Sequence, residues 1–454
     1  MKNLASISVF FCLSLAFGVN FATAHGAPRQ DPPQIWIEVK THTVEGRTRI
    51  TELGYEPVEI LSDKVYFAGR AEDVEVLKKA GFETQTFELK AEWLNPNLKK
   101  KVLKTEVESH GALVIENRFH SYDETVKRLQ TLGQKSPQIV EILSLGKSLE
   151  GRDIPLIRIS GKSAVDAELE KTPSVLIFGC HHAREHLSVE VPSLFAEYLV
   201  ENYGNDPEVT RLVDSREFYI APMVNPDGHV FDFKPEGGGR MWRKNRARNS
   251  DGSYGVDLNR NYSYGWGGRG ASSNPNAETY RGPSAFSEIE SQHVRNFVRS
   301  QTRAKVLLSV HTFSELVLYP WGHTEEPIGD KDGRKEDLPV FQKMATDMAR
   351  FNKYTPQQSS DLYVASGDTT DWAYGELGIF AFTFELSPRS MWTGGFYPDP
   401  SLIPVTFNDN LKAFMYLAEY ADDPSRVNRE KTMTFEKTPV SMGLPIASFK
   451  DLKI

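Results

Sequence analysis

Metal-binding side chains are concentrated in the segment 178–186, directly after an apolar run. Six consecutive residues include His181, His182, Glu185 and His186. Imidazole and carboxylate groups bind zinc outside cysteine sites, and a catalytic zinc takes three protein ligands and leaves one position for water. Side chains at i and i+3 are neighbours on a turn or at a helix start, so His182 and Glu185 can share one ion. The segment therefore predicts a catalytic metal site.

Two ligand sets fit this segment. In the first, His182 and His186 of an H-x-x-E-H pattern bind the ion and Glu185 is the base, as in zinc endopeptidases with the inverted motif. In the second, His182 and Glu185 are both ligands, and a distant histidine is the third. The segment by itself leaves the choice between them open.

The elements that must position these side chains alternate along the chain. Apolar runs that suit strands buried on both faces recur at 174–179, 218–224, 306–310 and 380–384. Helical periodicity separates them, and two helices are predicted to begin with a capping box, formed by Ser121 with Glu124 and by Ser287 with Glu290. This alternation predicts an α/β fold with a mixed, mostly parallel central sheet flanked by helices.

The chain is long enough for two folded units and shorter extra segments. Residues 1–24 predict a secretory signal peptide, because a lysine and an apolar run precede small residues at 22–24. Residues 25–110 are predicted to hold a small α+β unit and an exposed, lysine-rich linker at 99–104, a natural protease target. A catalytic domain is predicted at 111–421, and the tail 422–454 has no assigned role.

Charge and cysteine content exclude several classes of protein. The net charge is −8, from 53 basic and 61 acidic residues that are spread along the chain, which argues against nucleic acid and membrane surfaces as partners. Cys12 leaves with the predicted signal peptide, so Cys180 has no intramolecular disulfide partner. A single cysteine in an apolar strand is typical of a small buried hydrophobe.

The stretch 116–421 resembles the zinc carboxypeptidase family of the pancreatic digestive enzymes. The resemblance rests on six separated motifs in the same order, and on Tyr363 between the last two. The motifs lie at 182–185, 225–228, 240–246, 255–261, 309–312 together with 318–320, and 382–386.

The resemblance implies one Zn²⁺ bound by His182, Glu185 and His311. It also implies that the carboxylate of Asp257 holds the ring of His182, since such partners fix the tautomer of a ligand histidine. Glu385 matches the general base. A carboxylate suits that task because zinc lowers the pKa of its water to about 7.

The remaining matched residues concern the substrate. Arg243 matches the group that polarises the scissile carbonyl. Asn259 and Arg260 match a clamp for the free C-terminal carboxylate, and Tyr363 matches a tyrosine that closes over it. Arg184 matches an arginine of the neighbouring subsite. A fixed buried cation facing the substrate requires a chain end, because an internal peptide would leave it unpaired.

Two positions depart from the pancreatic pattern. His186 stands where the family usually has tryptophan, which is the one feature that favours the first ligand set. Thr370 falls at the floor of the specificity pocket, where an aspartate selects basic ends and an aliphatic residue selects apolar ends. With Asp368 two positions earlier, the pattern resembles bacterial carboxypeptidase T, which accepts both kinds of end.

These observations predict a secreted, monomeric zinc carboxypeptidase, or a periplasmic one in a Gram-negative bacterium. Its substrates are peptide C-termini, and a second protease activates it by releasing the N-terminal unit, which is placed like the propeptide of the family. Two alternatives belong to other classes: an endopeptidase using His182 and His186, and an inactive protein that only binds peptide C-termini.

Overall fold

The computed structural model describes residues 35–88, 108–110, 113–162, 171–233, 241–329, 331 and 333–429. The predicted signal peptide, the lysine-rich linker at 99–104 and most of the tail lie outside the described residues. Two regions are described below as the N-terminal unit, residues 35–88, and the large unit, residues 113–429.

The N-terminal unit is an antiparallel sheet with two helices, so the α+β prediction is confirmed. Its strands follow the order β2-β3-β1-β4. They are β1 (Ile35–Lys40), β2 (Glu59–Ile60), β3 (Lys64–Gly69) and β4 (Thr84–Glu88). The helices α1 (Val44–Glu52) and α2 (Ala71–Lys79) each bury few side chains. Strands β5 (Glu108–His110) and β6 (Leu113–Ile115) form a separate two-stranded ribbon.

An eight-stranded mixed sheet forms the centre of the large unit, with the order β13-β12-β14-β11-β9-β10-β8-β7. Four neighbouring strands, β14, β11, β9 and β10, are parallel, and β12 and β8 pair antiparallel at their two sides. The strands are β7 (Val140–Lys147), β8 (Asp153–Ile159), β9 (Ser174–Gly179), β10 (Glu217–Ala221), β11 (Ala304–Thr312), β12 (Leu316–Tyr319), β13 (Thr355–Gln358) and β14 (Phe380–Leu386). The predicted mixed, mostly parallel sheet is confirmed.

Helices connect these strands and cover the sheet. They are α3 (Tyr122–Lys135), α4 (Leu187–Asn202), α5 (Pro207–Ser215), α6 (Pro226–Asp232), α7 (Ile289–Ser300), α8 (Asp337–Asn352), α9 (Thr369–Leu377) and α10 (Leu402–Glu419). Short 3-10 turns lie at Leu258–Arg260, Ser359–Asp361, Met391–Thr393 and Pro424–Asn428. Within the part of the chain that the structure describes, no helix combines the length and the apolar character needed to cross a membrane.

One predicted capping box is confirmed and the other is wrong. Ser121 and Glu124 exchange the expected hydrogen bonds at the start of α3. Helix α7 instead begins after Glu288, whose side chain does not cap it. The hydroxyl of Ser287 is held by a tertiary contact, because the side-chain amide of Asn261 donates to it at 2.9 Å. The spacing of residues 287–290 could not reveal this contact, because Asn261 is distant in the sequence.

The parallel strands bring their carboxyl ends to one edge of the sheet. Strand β9 ends at Gly179, β11 at Thr312 and β14 at Leu386. Ligand sites of α/β sheets lie outside such an edge. The apolar residues of these strands are buried beneath it, apart from the partly buried Phe380, so side chains at the strand ends project from a rigid base.

Candidate active site

Two histidines and one glutamate meet at the carboxyl edge of the sheet. The donor atoms of His182, Glu185 and His311 all lie within 4.8 Å of one another, and the three residues are buried. The two Nδ1 atoms are 3.2 Å apart. Glu185 Oε1 lies 2.7 Å from His182 Nδ1, and Oε2 lies 2.9 Å from His311 Nδ1. Such converging donors match a site for a divalent cation.

His182 and Glu185 lie in a tight turn between β9 and α4, and Gly179 makes this turn possible. A Cβ atom on Gly179 would lie 2.1 Å from the carbonyl oxygen of Ser188. Glycine at the end of β9 therefore allows the start of α4 to pack directly against the strand. The connecting turn, residues 180–186, is tight enough for His182 and Glu185 to converge.

The outer nitrogens of both histidines have partners that fix the ring orientation. His182 Nε2 lies 3.2 Å from Asp257 Oδ1, and His311 Nε2 lies 3.0 Å from the hydroxyl of Ser309. With Nε2 engaged outside, Nδ1 is the nitrogen directed at the centre of the cluster. The predicted contact of Asp257 is thus present, and Ser309 is an additional partner that sequence reasoning missed.

Glu385 lies beside this cluster because of strand register. Strands β11 and β14 are parallel neighbours, and His311 is the register partner of Glu385. The carboxyl faces the cleft that also contains His182 and Glu185. Desolvation raises the pKa of Glu385 well above its ordinary value, and the negative charge of Glu185 raises it further. The charge of Arg243 acts in the opposite direction.

Two arginines and an asparagine form a cationic cradle in the same cleft. Arg243 and Arg260 are both buried and both line the cleft, together with Asn259. Arg243 Nε donates to Asp257 Oδ2 at 2.9 Å, so one carboxylate holds both this arginine and the ring of His182. Although burial raises it, the pKa of Asp257 is held well below its ordinary value, chiefly by the charges of Arg243 and His182.

The amide of Asn259 has a defined orientation. Its Oδ1 accepts from the backbone N–H of Thr369 at 3.0 Å and from the Thr369 hydroxyl at 2.8 Å. Because the backbone N–H is always a donor, the atom facing it must be the oxygen. The amino group of Asn259 is therefore available for an acceptor in the cleft.

A carboxylate of the N-terminal unit lies in this cradle. Glu56 is 8% exposed and accepts from the hydroxyl of Tyr363 at 2.6 Å. Its oxygens lie 3.4 Å from Arg243 Nη1 and 3.7 Å from Arg260 Nη2. Sequence reasoning missed Glu56, since it lies in the connection between α1 and β2, where no periodicity or motif distinguishes it.

Helix α1 also holds the loop that carries Tyr363. Arg47 donates to the carbonyl oxygens of Asp361 and Leu362. The hydroxyl of Thr48 accepts from the backbone N–H of Val364 at 2.9 Å. The N-terminal unit therefore fixes the backbone on both sides of Tyr363 and, through Glu56, its hydroxyl.

The structure does not bring His186 to the metal cluster. Its Nε2 lies 3.0 Å from Asp232 Oδ2, and its ring packs among the rings of Phe119, His229 and Tyr397. Among the described residues, the cluster with converging donors consists of His182, Glu185 and His311. The geometry thus supports the second ligand set over the H-x-x-E-H arrangement.

Three other predicted residues lie outside the lining of the cleft. Arg184 Nη1 donates to the carbonyl of Met241 at 3.1 Å and to Glu278 at 2.9 Å. Asp368 caps α9, where its Oδ1 accepts from two backbone amides and from the hydroxyl of Thr370. Burial, together with the nearby charge of Asp371, raises the pKa of Asp368 to about 7. Their roles in specificity stay predictions.

Cys180 is buried, as the sequence predicted. Burial raises the pKa of its thiol well above the ordinary value. A thiol that stays protonated is a poor nucleophile, so this cysteine has the properties of a small core residue.

Comparison with known proteins agrees with this geometry. The sequence profile of the zinc carboxypeptidase family matches residues 125–413. The chain belongs to the zinc carboxypeptidase family. A zinc carboxypeptidase of Saccharothrix mutabilis subsp. capreolus is 32% identical over 433 residues, which cover 94% of this chain and 98% of the relative. Carboxypeptidase A1 of Mus musculus is 34% identical over 290 residues, or 63% of this chain and 66% of that enzyme.

Solved structures show the same architecture. The crystal structure of thrombin-activatable fibrinolysis inhibitor aligns with a TM-score of 0.68 at 25% identity, covering 86% of this chain and 99% of that chain. Carboxypeptidase A of Helicoverpa armigera aligns with a TM-score of 0.70 at 24% identity, covering 88% and 99%. The family match and the relatives show that the protein is a metallocarboxypeptidase, which is a hydrolase, and its fold is of the α/β class.

Membership of this family implies Zn²⁺, and the residues present fit that ion. Two imidazoles and one carboxylate form the donor set of catalytic zinc sites with an open position. All three donors are buried and directed at one point, while both outer imidazole nitrogens are engaged elsewhere. His182, Glu185 and His311 are the residues that would hold it.

Proposed function

We propose that the protein is a secreted proenzyme whose large unit removes single residues from peptide C-termini, with Glu385 as general base. One observation carries the proposal: a cradle of Arg243, Arg260 and Asn259 lies next to the three metal donors and faces a carboxylate, that of Glu56. Because this cradle accommodates a carboxylate, it suits peptides whose terminal carboxylate lies next to the metal donors.

Substrate binding follows from the charges of the cradle. Arg260 and Asn259 bind the C-terminal carboxylate, because a guanidinium and an amide group together supply several N–H donors to its two oxygens. Arg243 stabilises the negative charge that develops on the scissile carbonyl oxygen. The buried Asp257 keeps Arg243 in place through the contact at 2.9 Å. Tyr363 closes over the bound end.

Zinc, when bound, acts as a Lewis acid that polarises a carbonyl and makes water acidic enough to react near neutral pH. Glu385 accepts a proton from the attacking water and then delivers a proton to the nitrogen of the leaving amino acid. The C–N bond breaks, and the products are a shortened peptide with a new carboxylate and a free amino acid. The position of Glu385, the register partner of the metal donor His311, suits a group that carries the proton between the two transfers.

The proenzyme state is supported by the position of the N-terminal unit. Glu56 lies where the carboxylate of a substrate is expected, and helix α1 holds the loop of Tyr363. A peptide end cannot bind while these contacts persist. We propose that a second protease cuts in the lysine-rich linker, and that the signal peptide at 1–24 directs export.

Broad specificity is proposed for the terminal side chain. Thr370 and Asp368 are buried and hydrogen-bonded to each other at 2.8 Å. A hydroxyl at the pocket floor neither repels an apolar side chain strongly nor pairs with a cation. The carboxyl of Asp368, which accepts from the Thr370 hydroxyl, is the group we propose for compatibility with Lys and Arg ends.

Mass spectrometry of peptides incubated with the trypsin-treated full chain tests the proposal. Stepwise loss of single C-terminal residues, abolished by a zinc chelator and restored by added Zn²⁺, is the expected outcome. Internal cleavage products would indicate the endopeptidase alternative. Peptide binding without turnover by a zinc-loaded sample would indicate the inactive alternative, and either result would contradict the proposal.

A further inference from the structure

The turn that carries Arg243 has an unfavourable backbone conformation. Met241 has φ of 61°, in the left-handed region that side chains other than glycine, asparagine and aspartate seldom adopt. Such a residue persists only where surrounding contacts hold it. Since Met241 is two residues before Arg243, whatever holds the turn also determines where the guanidinium lies.

The hydroxyl of Tyr397 is the first of these contacts. Its oxygen accepts from the backbone N–H of Met241 at 2.9 Å, and its proton is directed at Asp232, with both carboxylate oxygens at 3.0 Å. Tyr397 is 2% exposed, so water has little access to replace it. Removal of the hydroxyl would leave a buried N–H without its acceptor, which is a costly state.

The carboxylate of Asp232, at the end of α6, is the second contact. Its Oδ1 accepts from the backbone N–H of Trp242 at 2.7 Å. Its Oδ2 faces His186 Nε2 at 3.0 Å. Asp232 is fully buried, and two consecutive amides of the turn are thus held by Tyr397 and Asp232 together. The same carboxylate fixes the residue that follows the metal donor Glu185.

The turn 241–243 is also hydrogen-bonded to the segment that carries the metal donors His182 and Glu185. The carbonyl oxygen of Arg243 accepts from the backbone N–H of Ala183 at 3.0 Å, inside the segment between His182 and Glu185. The carbonyl of Met241 accepts from Arg184 Nη1. A shift of the turn would therefore move Arg243 relative to the metal donors.

We propose that Tyr397 and Asp232 are positioning residues that hold the strained turn 241–243, so that Arg243 faces the scissile carbonyl in the reactive geometry. Neither residue is among those that line the cleft, and both act through Arg243. The inference rests on the proposed function, in which Arg243 stabilises the developing negative charge. His186 Nε2 is a further contact of the Asp232 carboxylate, at 3.0 Å.

The test measures kcat and KM of the trypsin-treated full chain with the substitution Tyr397→Phe. A small misplacement of a group that acts on the transition state lowers the rate with little effect on substrate binding, so we expect kcat to fall about tenfold and KM to stay within about twofold. The matched control is Tyr416→Phe. Tyr416 is also a buried tyrosine that donates to a buried carboxylate, Asp347, at 2.9 Å, and its substitution should leave kcat unchanged.

A double-mutant cycle distinguishes positioning from a general structural role. Arg243→Ala removes the group through which Tyr397 acts, so adding Tyr397→Phe to it should lower kcat no further. Zinc content and melting temperature are measured on every variant. Should Tyr397→Phe fold poorly, Asp232→Asn provides a second substitution with the same expected loss of kcat and the same lack of additivity.

Two outcomes would overturn the inference while the wild type stays active. One is an unchanged kcat in Tyr397→Phe, and the other is a full additional loss in the Arg243→Ala background. An inactive wild type would instead contradict the proposed function.

Discussion

Two regions of the chain bring a glutamate to the same cleft, and they hold it in different ways. Glu385 belongs to the central sheet of the large unit, where register pairs it with His311. Glu56 belongs to a connection of the N-terminal unit and reaches the cradle through Tyr363, Arg243 and Arg260. The first position is built into the sheet, whereas the second depends on how the N-terminal unit is docked.

The difference shows which region assembles the site. Arg243 is held by Asp257, and Arg260 donates to the carbonyl oxygens of Asn259 and Gly270, all within the large unit. These arginines therefore have partners without Glu56. The N-terminal unit adds a carboxylate to a cradle that the large unit has already formed, so its removal should free the site without dismantling it.

The largest expected effect comes from Glu385→Gln. The amide cannot accept the proton of the attacking water, so kcat should fall by about 10²–10⁴, the usual range for general acid–base catalysis. Bound zinc, measured by elemental analysis, should be retained. Glu336→Gln, an exposed position, is the control. A variant within tenfold of the wild type would remove Glu385 from the mechanism.

Glu56→Ala should have the opposite effect, and only in the uncut chain. Loss of this carboxylate weakens the contact with two buried arginines, so hydrolysis of a small blocked dipeptide by the uncut chain should rise about tenfold. After trypsin treatment, the variant and the wild type should be equal. The control is Glu45→Ala, because Glu45 pairs with the exposed Arg269 of the large unit. Equal activity of the uncut variant and the uncut wild type would show that Glu56 does not block the cradle.

Thr370→Asp alters the large unit alone and should change selectivity in cut samples. A second carboxylate beside Asp368 favours a cationic side chain, so the ratio of kcat/KM for Lys over Leu ends should rise about fivefold. Competition between two peptides that differ only at the last residue measures this ratio. Thr369→Ser, which keeps the hydroxyl at the neighbouring position, should leave the ratio unchanged. An identical profile for Thr370→Asp and wild type would mean that the pocket floor lies elsewhere.

The smallest effect concerns Glu290, a buried carboxylate of the large unit that contacts the amides of Asn245 and Leu149. Burial raises its pKa from 4.5 to about 7. The folded state then binds more protons than the unfolded state between these values, so the free energy of unfolding should fall by about 2–3 kcal/mol as pH rises from 5 to 8. Denaturant unfolding of wild type and Glu290→Gln measures this.

The glutamine variant should lose that part of the pH dependence, because it has no proton to release. Equal slopes against pH in the two proteins would show that Glu290 ionises normally. In contrast to Glu290, Asp257 is buried beside the charges of Arg243 and His182, and its pKa is lowered.

Local patterns in the sequence predicted the elements well. The apolar run at 174–179 is strand β9 with the same bounds, and the capping box of Ser121 and Glu124 is present. Both signals act over a few residues, and neighbouring elements do not alter them. The run at 218–224 was less accurate, since β10 ends at Ala221, before a proline that cannot continue the ladder.

The amino-acid sequence by itself determined the family and the residues that meet at the sheet edge, because the order and spacing of the motifs place them at the ends of strands and turns. Only the tertiary structure decided which distant residues contact the site residues. Glu56 faces the arginines, Tyr397 and Asp232 hold the turn before Arg243, and His186 turns to Asp232 rather than to the metal donors. These contacts join residues far apart in the chain. They depend on how whole elements pack, which no local pattern records.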